Sequence, residues 1–171
     1  MDDTRVRQRE REALAASEYE IALQARAEFI ARAQKPPVIH DSDREWKLYR
    51  QGYVKIFLLP AAFPDTMLQQ WWVFIHDVKS SGKHRHQGGL VLFVIEGAGA
   101  SEVDGEIVEW EEGDMVLLPL KKDGVEHRHY TRSDNPAKWI AFIHEPTWDL
   151  VSSELTQIDA SPDFAQKNPG S

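Results

Sequence analysis

Hydrophobic and polar residues follow two different periods along the chain. Residues 3 to 33 are rich in Ala, Glu, Arg and Gln, contain no Gly or Pro, and place apolar residues at roughly helical spacing. Pro36 and Pro37 then end the pattern. We therefore predict one long helix, which either packs on the outside of the following domain or serves as an oligomerisation arm.

After residue 38 the pattern becomes that of short strands. Runs rich in β-branched and aromatic residues alternate with turns that contain Gly or Asp, from KLYRQGYVKIFLLP through LVLFVIE to KWIAFIH. No helical pattern separates these runs, which predicts an all-β barrel or sandwich. We place the barrel at residues 36–146, between a helical extension at 1–35 and a C-terminal arm or tail at 147–171.

Length and charge narrow the classes of function. A chain of 171 residues suits one domain with a modest extension. Its 20 basic and 28 acidic residues give a net charge of −8, which repels nucleic-acid phosphate, so no nucleic-acid partner is expected. The charged N-terminus lacks the apolar core of a signal peptide, and no window reaches the roughly 18 apolar residues of a membrane span. We expect a cytoplasmic protein with no membrane partner.

The candidate chemistry lies in two His-x-His pairs, His84 with His86 and His127 with His129. Each pair lies beside a predicted strand, and alternate residues of a strand point to the same face. The chain has no Cys, so a metal must be held by nitrogen or oxygen ligands, and neutral imidazole is the commonest of these. Two pairs on neighbouring strands can supply three nitrogens, with either His127 or His129 as the third ligand.

Segments around both pairs resemble the two sequence motifs of the cupins. HRHQGGLVLFVIEGAGASEVDGE, residues 84–106, resembles the first motif, and GDMVLLPLKKDGVEHRH, residues 113–129, resembles the second. The resemblance implies an all-β fold, the double-stranded β-helix or jelly-roll barrel. It places the metal ligands on His84, His86 and His127, because the distance from His127 to Pro136 fits the loop that follows the last ligand.

One position departs from the cupin pattern. Where most cupins place a glutamate ligand four residues after the second histidine, this chain has Leu90, which cannot bind a metal. The site therefore either has three histidines or recruits another residue. Gln87, Glu126 and His129 are the alternatives, although Glu126 has the wrong strand parity to join His127.

The His-x-His motif of this chain, with no carboxylate after it, resembles the pattern of the gentisate and salicylate ring-cleaving dioxygenases. Small cupins such as the diketone-cleaving dioxygenase also use three histidines. This resemblance implies a non-heme Fe(II) dioxygenase that uses O2 to cleave a C–C bond of a small aromatic or dicarbonyl compound. Zn, Mn or Ni would instead suit a metal-dependent isomerase, lyase or hydrolase. A third alternative is a non-catalytic cupin that binds a small molecule.

Further residues are assigned around the expected metal. His129 is expected to orient the substrate, to move protons or to support the ligands by hydrogen bonding. Gln87 and Trp72 complete the candidate catalytic set, with Trp72 on a strand whose aromatic residues fill the barrel or line a planar substrate. His76 and His144 lie outside any motif, so we expect structural roles for them. A homodimer or larger homo-oligomer is expected, because cupins commonly associate through barrel edges or exchanged strands.

Overall fold

The computed structural model describes residues 3–63 and 66–169. Its contacts divide these residues into two compact units. The first comprises residues up to Pro37 together with 66–68, and the second comprises 38–63 and 69–169. No helix of the described chain is both long enough and apolar enough to cross a membrane.

The first unit is built on one uninterrupted helix, α1 (Asp3–Arg32). Its Ala-, Glu- and Arg-rich composition favours helix formation, and Arg32 in the last turn complements the negative end of the helix dipole. Large apolar side chains along its C-terminal half are exposed; these are Tyr19, Ile21, Leu23, Phe29 and Ile30.

The second unit contains eleven strands and three short helical segments in the described residues. A 3₁₀ turn, Asp41–Asp43, precedes the first strand. The strands are β1 (Trp46–Tyr49), β2 (Gly52–Leu58), β3 (Trp71–Val78), β4 (Lys83–His86), β5 (Leu90–Glu96), β6 (Ala98–Val103), β7 (Glu106–Glu111), β8 (Met115–Leu117), β9 (Val125–Thr131), β10 (Ala137–His144) and β11 (Thr156–Asp159). The helices α2 (Glu145–Leu150) and α3 (Pro162–Lys167) flank β11.

These strands form two antiparallel sheets that confirm the predicted all-β cupin fold. The first sheet has the order β1-β2-β3-β10-β5-β8, and the second has the order β11-β4-β9-β6-β7. We call them the six-stranded and the five-stranded sheet. The non-consecutive order, with β10 between β3 and β5 and β9 between β4 and β6, is that of a jelly roll, in which distant segments of the chain become neighbours.

The hydrophobic core lies on the inner faces of the two sheets. Along β10 the side chains alternate strictly, with Ala137, Trp139, Ala141 and Ile143 buried and the residues between them half-buried. Such alternation is the period of a strand with one face in the core. Each fully buried Val, Leu or Ile contributes about 1.5–3 kcal/mol to folding, so the inner faces stabilise the sheets that carry the histidines.

The C-terminal segment adds an edge strand to the five-stranded sheet. β11 pairs antiparallel with β4, with Thr156 opposite Arg85 and Gln157 opposite His84. The Gln157 side-chain amide also donates to the Lys83 carbonyl at 3.1 Å. Residues 156–159 therefore support the outer side of the strand that carries His84 and His86.

Candidate metal centre

The pairing of β4 with β9 brings the two His-x-His pairs together. His84 lies directly opposite His127 in the register. His84, His86 and His127 each offer a ring nitrogen, and these nitrogens lie within 4.8 Å of one another. The ring centroid of His127 is 4.2 Å from that of His84 and 4.8 Å from that of His86. The sequence prediction named the same three residues.

In two of the three rings, a hydrogen bond from Nδ1 fixes the ring and leaves the lone pair on Nε2. His84 Nδ1 lies 3.1 Å from the Gly82 carbonyl, and His127 Nδ1 lies 2.9 Å from the Val125 carbonyl. A carbonyl only accepts, so both Nδ1 atoms donate, and the lone pair of each ring lies on Nε2. His127 Nε2 is buried and has no hydrogen-bond partner among the described residues. Metal-binding histidines commonly donate their other nitrogen in this way.

His86 is held differently. The Gly88 amide donates to His86 Nδ1 at 3.0 Å, which places the proton of the neutral ring on Nε2. Binding a metal through Nε2 therefore requires that this hydrogen bond be given up, whereas binding through Nδ1 replaces it. Either way, His86 must exchange one partner for the metal.

Burial keeps the three rings neutral. Desolvation lowers the pKa of His86 to about 4, and it also lowers the pKa of His84. The pKa of His127 is lowered further, first by burial and then by repulsion from the neighbouring histidines. Neutral imidazole is the form that binds metals, so three buried nitrogen donors at this spacing fit a divalent ion.

His129 lies beside this group and is held by a buried chain of hydrogen bonds. The Trp110 indole donates to Ser101 Oγ at 3.0 Å, and Ser101 Oγ lies 2.7 Å from His129 Nδ1. The Ser101 hydroxyl accepts from the indole, and its remaining lone pair and hydrogen allow it either to accept from or to donate to His129 Nδ1. His129 Nε2 is a buried atom that has no partner within the described chain. This nitrogen is available to a substrate.

The position of His129 bears on the choice of the third ligand. Its ring centroid is 5.4 Å from that of His127, and its nitrogens are not in the group of three. The choice of His127 as the ligand, with His129 next to it, remains a prediction that this geometry favours.

His84 and His86, but not His127, line an apolar cavity of about 360 Å³ between the inner faces of the sheets. His84, His86 and His129 come from the five-stranded sheet, whereas most of the remaining wall comes from the six-stranded sheet. The apolar and aromatic part of the wall consists of Tyr49, Val54, Ile56, Leu58, Leu59, Trp72, Phe74, Leu90, Leu92, Trp139, Ala141, Ile143 and Leu155. A cavity with these walls and a few converging polar atoms is typical of small-molecule sites.

Trp72, a predicted site residue, lines this cavity. Its indole donates to Glu145 Oε1 at 3.3 Å, and its ring centroid is 5.0 Å from that of Trp148 on α2. Trp148 also contacts His86, with 5.1 Å between ring centroids. The pair of tryptophans therefore connects the cavity wall with the three clustered histidines.

Gln87, the other predicted residue, does not line the cavity. Its Oε1 accepts a hydrogen bond from the Glu154 amide at 2.8 Å, so it binds the C-terminal segment instead. Glu126 is also placed elsewhere, because its carboxylate forms a 2.5 Å ion pair with Lys83. Leu90 is buried and lines the cavity at the position where most cupins have a glutamate. The described wall therefore brings no carboxylate to the three histidines.

Sequence reasoning assigned a structural role to His76 on β3 and missed that it lines the cavity. It is buried, lines the cavity and stacks on Trp139, with 5.2 Å between ring centroids and 27° between ring planes. Burial lowers its pKa to about 3. The signal was present in the strand period, because His76 shares a face with Trp72 and Phe74.

Comparisons with known proteins place this arrangement in a family. Residues 71–143 match the cupin domain model. They form a cupin domain. This domain contains the pairs His84/His86 and His127/His129, and it includes β3 to β10 of the barrel.

The proteins to which this chain is similar are named for different activities. The chain is 38% identical over 89 residues to a gentisate 1,2-dioxygenase from a Streptomyces species, a match that covers 52% of this chain and 24% of the relative. A structure of the polyketide cyclase RemF from Streptomyces resistomycificus aligns with a TM-score of 0.55 at 16% identity, over 78% of this chain and 94% of that one. A structure of salicylate 1,2-dioxygenase from Pseudoaminobacter salicylatoxidans, described as adducts with gentisate, aligns with a TM-score of 0.50 at 18% identity. The alignment covers 67% of this chain and 31% of that one.

The extent of these matches limits what they carry over. The chain spans about a quarter of the length of the gentisate dioxygenase that it matches. The two structural likenesses, at 16% and 18% identity, concern the fold. One fold thus serves a dioxygenase and a cyclase, so the reaction must be argued from the site.

Proposed function

We propose that this cupin is a non-heme Fe(II)-dependent dioxygenase that cleaves a C–C bond of a small aromatic or dicarbonyl compound. The observation that carries the proposal is the group of three buried neutral histidines, with Leu90 at the place of the usual carboxylate. The 38% identity to a gentisate 1,2-dioxygenase over 89 residues supports the same assignment.

His84, His86 and His127 would hold the ion. Three nitrogen ligands on one side leave other coordination positions open, and neutral ligands leave the charge of the ion uncompensated. Such a centre favours an anionic substrate group that binds through two oxygens. When bound, iron would supply the redox chemistry that activates dioxygen, whereas Zn, Mn or Ni would supply Lewis-acid chemistry for an isomerase, lyase or hydrolase.

The remaining residues bind and orient the substrate. His129 Nε2 forms a hydrogen bond with a substrate atom next to the metal, in an orientation that Ser101 fixes. Trp72 and the aliphatic wall pack against the body of the substrate and exclude water, which strengthens polar interactions inside the cavity. The proposal also includes a cytoplasmic location and a homodimer or larger homo-oligomer.

Metal analysis with oxygen consumption tests the proposal. The protein is purified without chelators, reconstituted with Fe(II) under anaerobic conditions and analysed by plasma mass spectrometry. An oxygen electrode then follows turnover with gentisate, salicylates, catechols and β-diketones. We expect about one iron per chain and oxygen uptake with one of these substrates.

Variants connect that result with the site. His84→Ala and His127→Ala should lose both iron and oxygen uptake, whereas His144→Ala should keep both, because His144 binds Thr147 outside the cavity. Tightly held zinc or nickel with turnover but without oxygen uptake would favour the isomerase, lyase or hydrolase. A metal-free protein that only binds small molecules would contradict both enzyme assignments.

A further inference from the structure

His76 presents two unused hydrogen-bonding atoms at the cavity. Neither Nδ1 nor Nε2 has a partner among the described residues, although the ring is buried. Leaving a buried polar group unpaired costs about 1–3 kcal/mol. Such groups are rare in folded proteins, and an unpaired one that lines a cavity indicates an absent partner.

The position of His76 separates it from the metal site. It projects from β3 of the six-stranded sheet, whereas the metal-binding histidines project from β4 and β9 of the five-stranded sheet. Its nitrogens are not in the group of three donors. The ring is stacked on Trp139 and packs edge-on against Phe74, with 5.5 Å between the latter centroids. Two aromatic neighbours thus fix the plane of a ring whose nitrogens have no hydrogen-bond partner in the described part of the chain.

The rest of the cavity wall determines what can bind His76. The cavity-lining residues of the described chain include no Lys, Arg, Asp or Glu. A charged substrate group away from the metal would therefore be buried without a counter-ion, at a prohibitive cost. Near neutral pH the imidazole of His76 is uncharged and offers one donor and one acceptor. A hydroxyl group, which also donates and accepts, is the matching partner.

We propose that His76 is a substrate-binding residue that hydrogen-bonds to a hydroxyl group on the body of the substrate, from the sheet that does not carry the three metal-binding histidines. The inference rests on the proposed function, since it assumes a substrate that the metal chelates. It assigns a substrate class: a planar or apolar molecule with one anionic chelating group and at least one further neutral hydroxyl. A second carboxylate on the body of the molecule is excluded.

Binding of matched probes to the zinc-loaded protein tests this role without turnover. The probes are salicylate and the dihydroxybenzoates that keep its chelating carboxylate and hydroxyl and add one hydroxyl elsewhere on the ring, gentisate among them. Dissociation constants are measured by titration calorimetry. One added hydrogen bond predicts that at least one dihydroxybenzoate binds the wild type about three- to ten-fold more tightly than salicylate.

The decisive variant is His76→Phe, which keeps an aromatic ring for Trp139 but removes both nitrogens. We expect it to reduce the preference for the dihydroxybenzoate to less than about two-fold while salicylate binds as before. The control His144→Phe removes a histidine that does not line the cavity, and it should keep the wild-type preference.

Several results would overturn the assignment of His76. One is a preference that survives in His76→Phe, and another is an equal loss of affinity for salicylate and the dihydroxybenzoate, which indicates a structural role. Equal binding of all probes to the wild type, or no binding of any, overturns it as well. Each result is independent of oxygen uptake, so failure of the dioxygenase proposal and failure of this one are distinguishable.

Discussion

The two walls of the cavity use histidine in opposite ways. On the five-stranded sheet, His84 and His127 donate Nδ1 to backbone carbonyls, which fixes each ring and directs Nε2 at its neighbours. On the six-stranded sheet, His76 makes no hydrogen bond to the described residues and is held only by aromatic contacts. On the first wall two of the three clustered rings already have Nε2 free of a proton, and only His86 must exchange a partner before it could bind a metal. The second wall keeps its polar atoms free for a ligand.

The difference follows from the local sequence of each wall. On β4 and β9 the buried histidines alternate with Arg85 and Arg128, so the two histidines of each strand lie on the same inner face. On β3 the inward neighbours of His76 are Phe74 and Val78, which cannot form hydrogen bonds with it. The histidines of β4 and β9 thus cluster on the five-stranded sheet, whereas His76 is isolated on the six-stranded sheet and its nitrogens have no partner among the described residues.

Removal of a ligand from the organised wall should have the largest effect. His127→Ala deletes one of three nitrogen donors, so we expect the affinity for metal to fall by more than about 100-fold, beyond the usual effect of losing a supporting residue. Chelator competition followed by metal analysis measures it. Arg128→Ala, the outward neighbour on β9, is the matched control and should retain metal. Stoichiometric metal in His127→Ala would exclude it as a ligand.

Acid should destabilise the metal-free protein through both walls. The pKa values of His76 and His86 lie at about 3 and about 4 in the folded state, below the ordinary value of 6.5. The unfolded chain therefore binds more protons as the pH falls below about 6.5, so stability present above that pH is lost progressively toward pH 4. Each such histidine contributes roughly 1.4 kcal/mol per pH unit in this window.

Urea denaturation in the presence of a chelator, repeated at a series of pH values, measures this dependence. His76→Phe should lower the slope of the unfolding free energy against pH by roughly 1.4 kcal/mol per pH unit, because it removes one of the buried histidines that titrate. A free energy of unfolding that stays constant from pH 6.5 to 4.5 would contradict the buried neutral state of these rings.

The clustering of His84, His86 and His127 was predictable from the sequence, whereas the second wall was not. Alternation places both histidines of a His-x-His pair on one face whatever the neighbouring strands are. A single histidine such as His76 lines a cavity only if the strands beside it leave space, and that depends on the pairing of β3 with β10, more than sixty residues away along the chain. Local pattern gives the face of a side chain but not what lies in front of it.

Two other features depend on the same non-local information. Gln87 follows His86 directly, so it has the opposite strand parity, and its Oε1 accepts from the Glu154 amide. A side chain beside the ligands therefore reaches the C-terminal segment instead. β11 has too short a pattern, TQID, to predict a strand, and it forms because β4 offers it a free edge.

The hydrogen-bond chain behind His129 should contribute an intermediate amount to stability. Ser101→Ala leaves His129 Nδ1 and the Trp110 indole without their shared partner, at a cost of about 1–3 kcal/mol. Ser80→Ala is the control, since its hydroxyl bonds only to the adjacent Ser81 carbonyl. Urea denaturation compares the two. Equal stability of Ser101→Ala and the wild type would show that the chain does not hold His129.

The smallest expected effect has the opposite sign and concerns the second wall. His76→Phe replaces an unpaired buried imidazole by an apolar ring, so we expect the variant without ligand to be more stable by about 0.5–1.5 kcal/mol, seen as a higher Tm. A binding residue whose polar atoms are unpaired in the ligand-free protein destabilises the fold, so replacing it with an apolar ring should increase stability. If His76 only supports the core by packing, the Tm of His76→Phe should instead be lower than that of the wild type. A lower Tm would mean that the stacked imidazole stabilises the fold more than its unpaired nitrogens destabilise it.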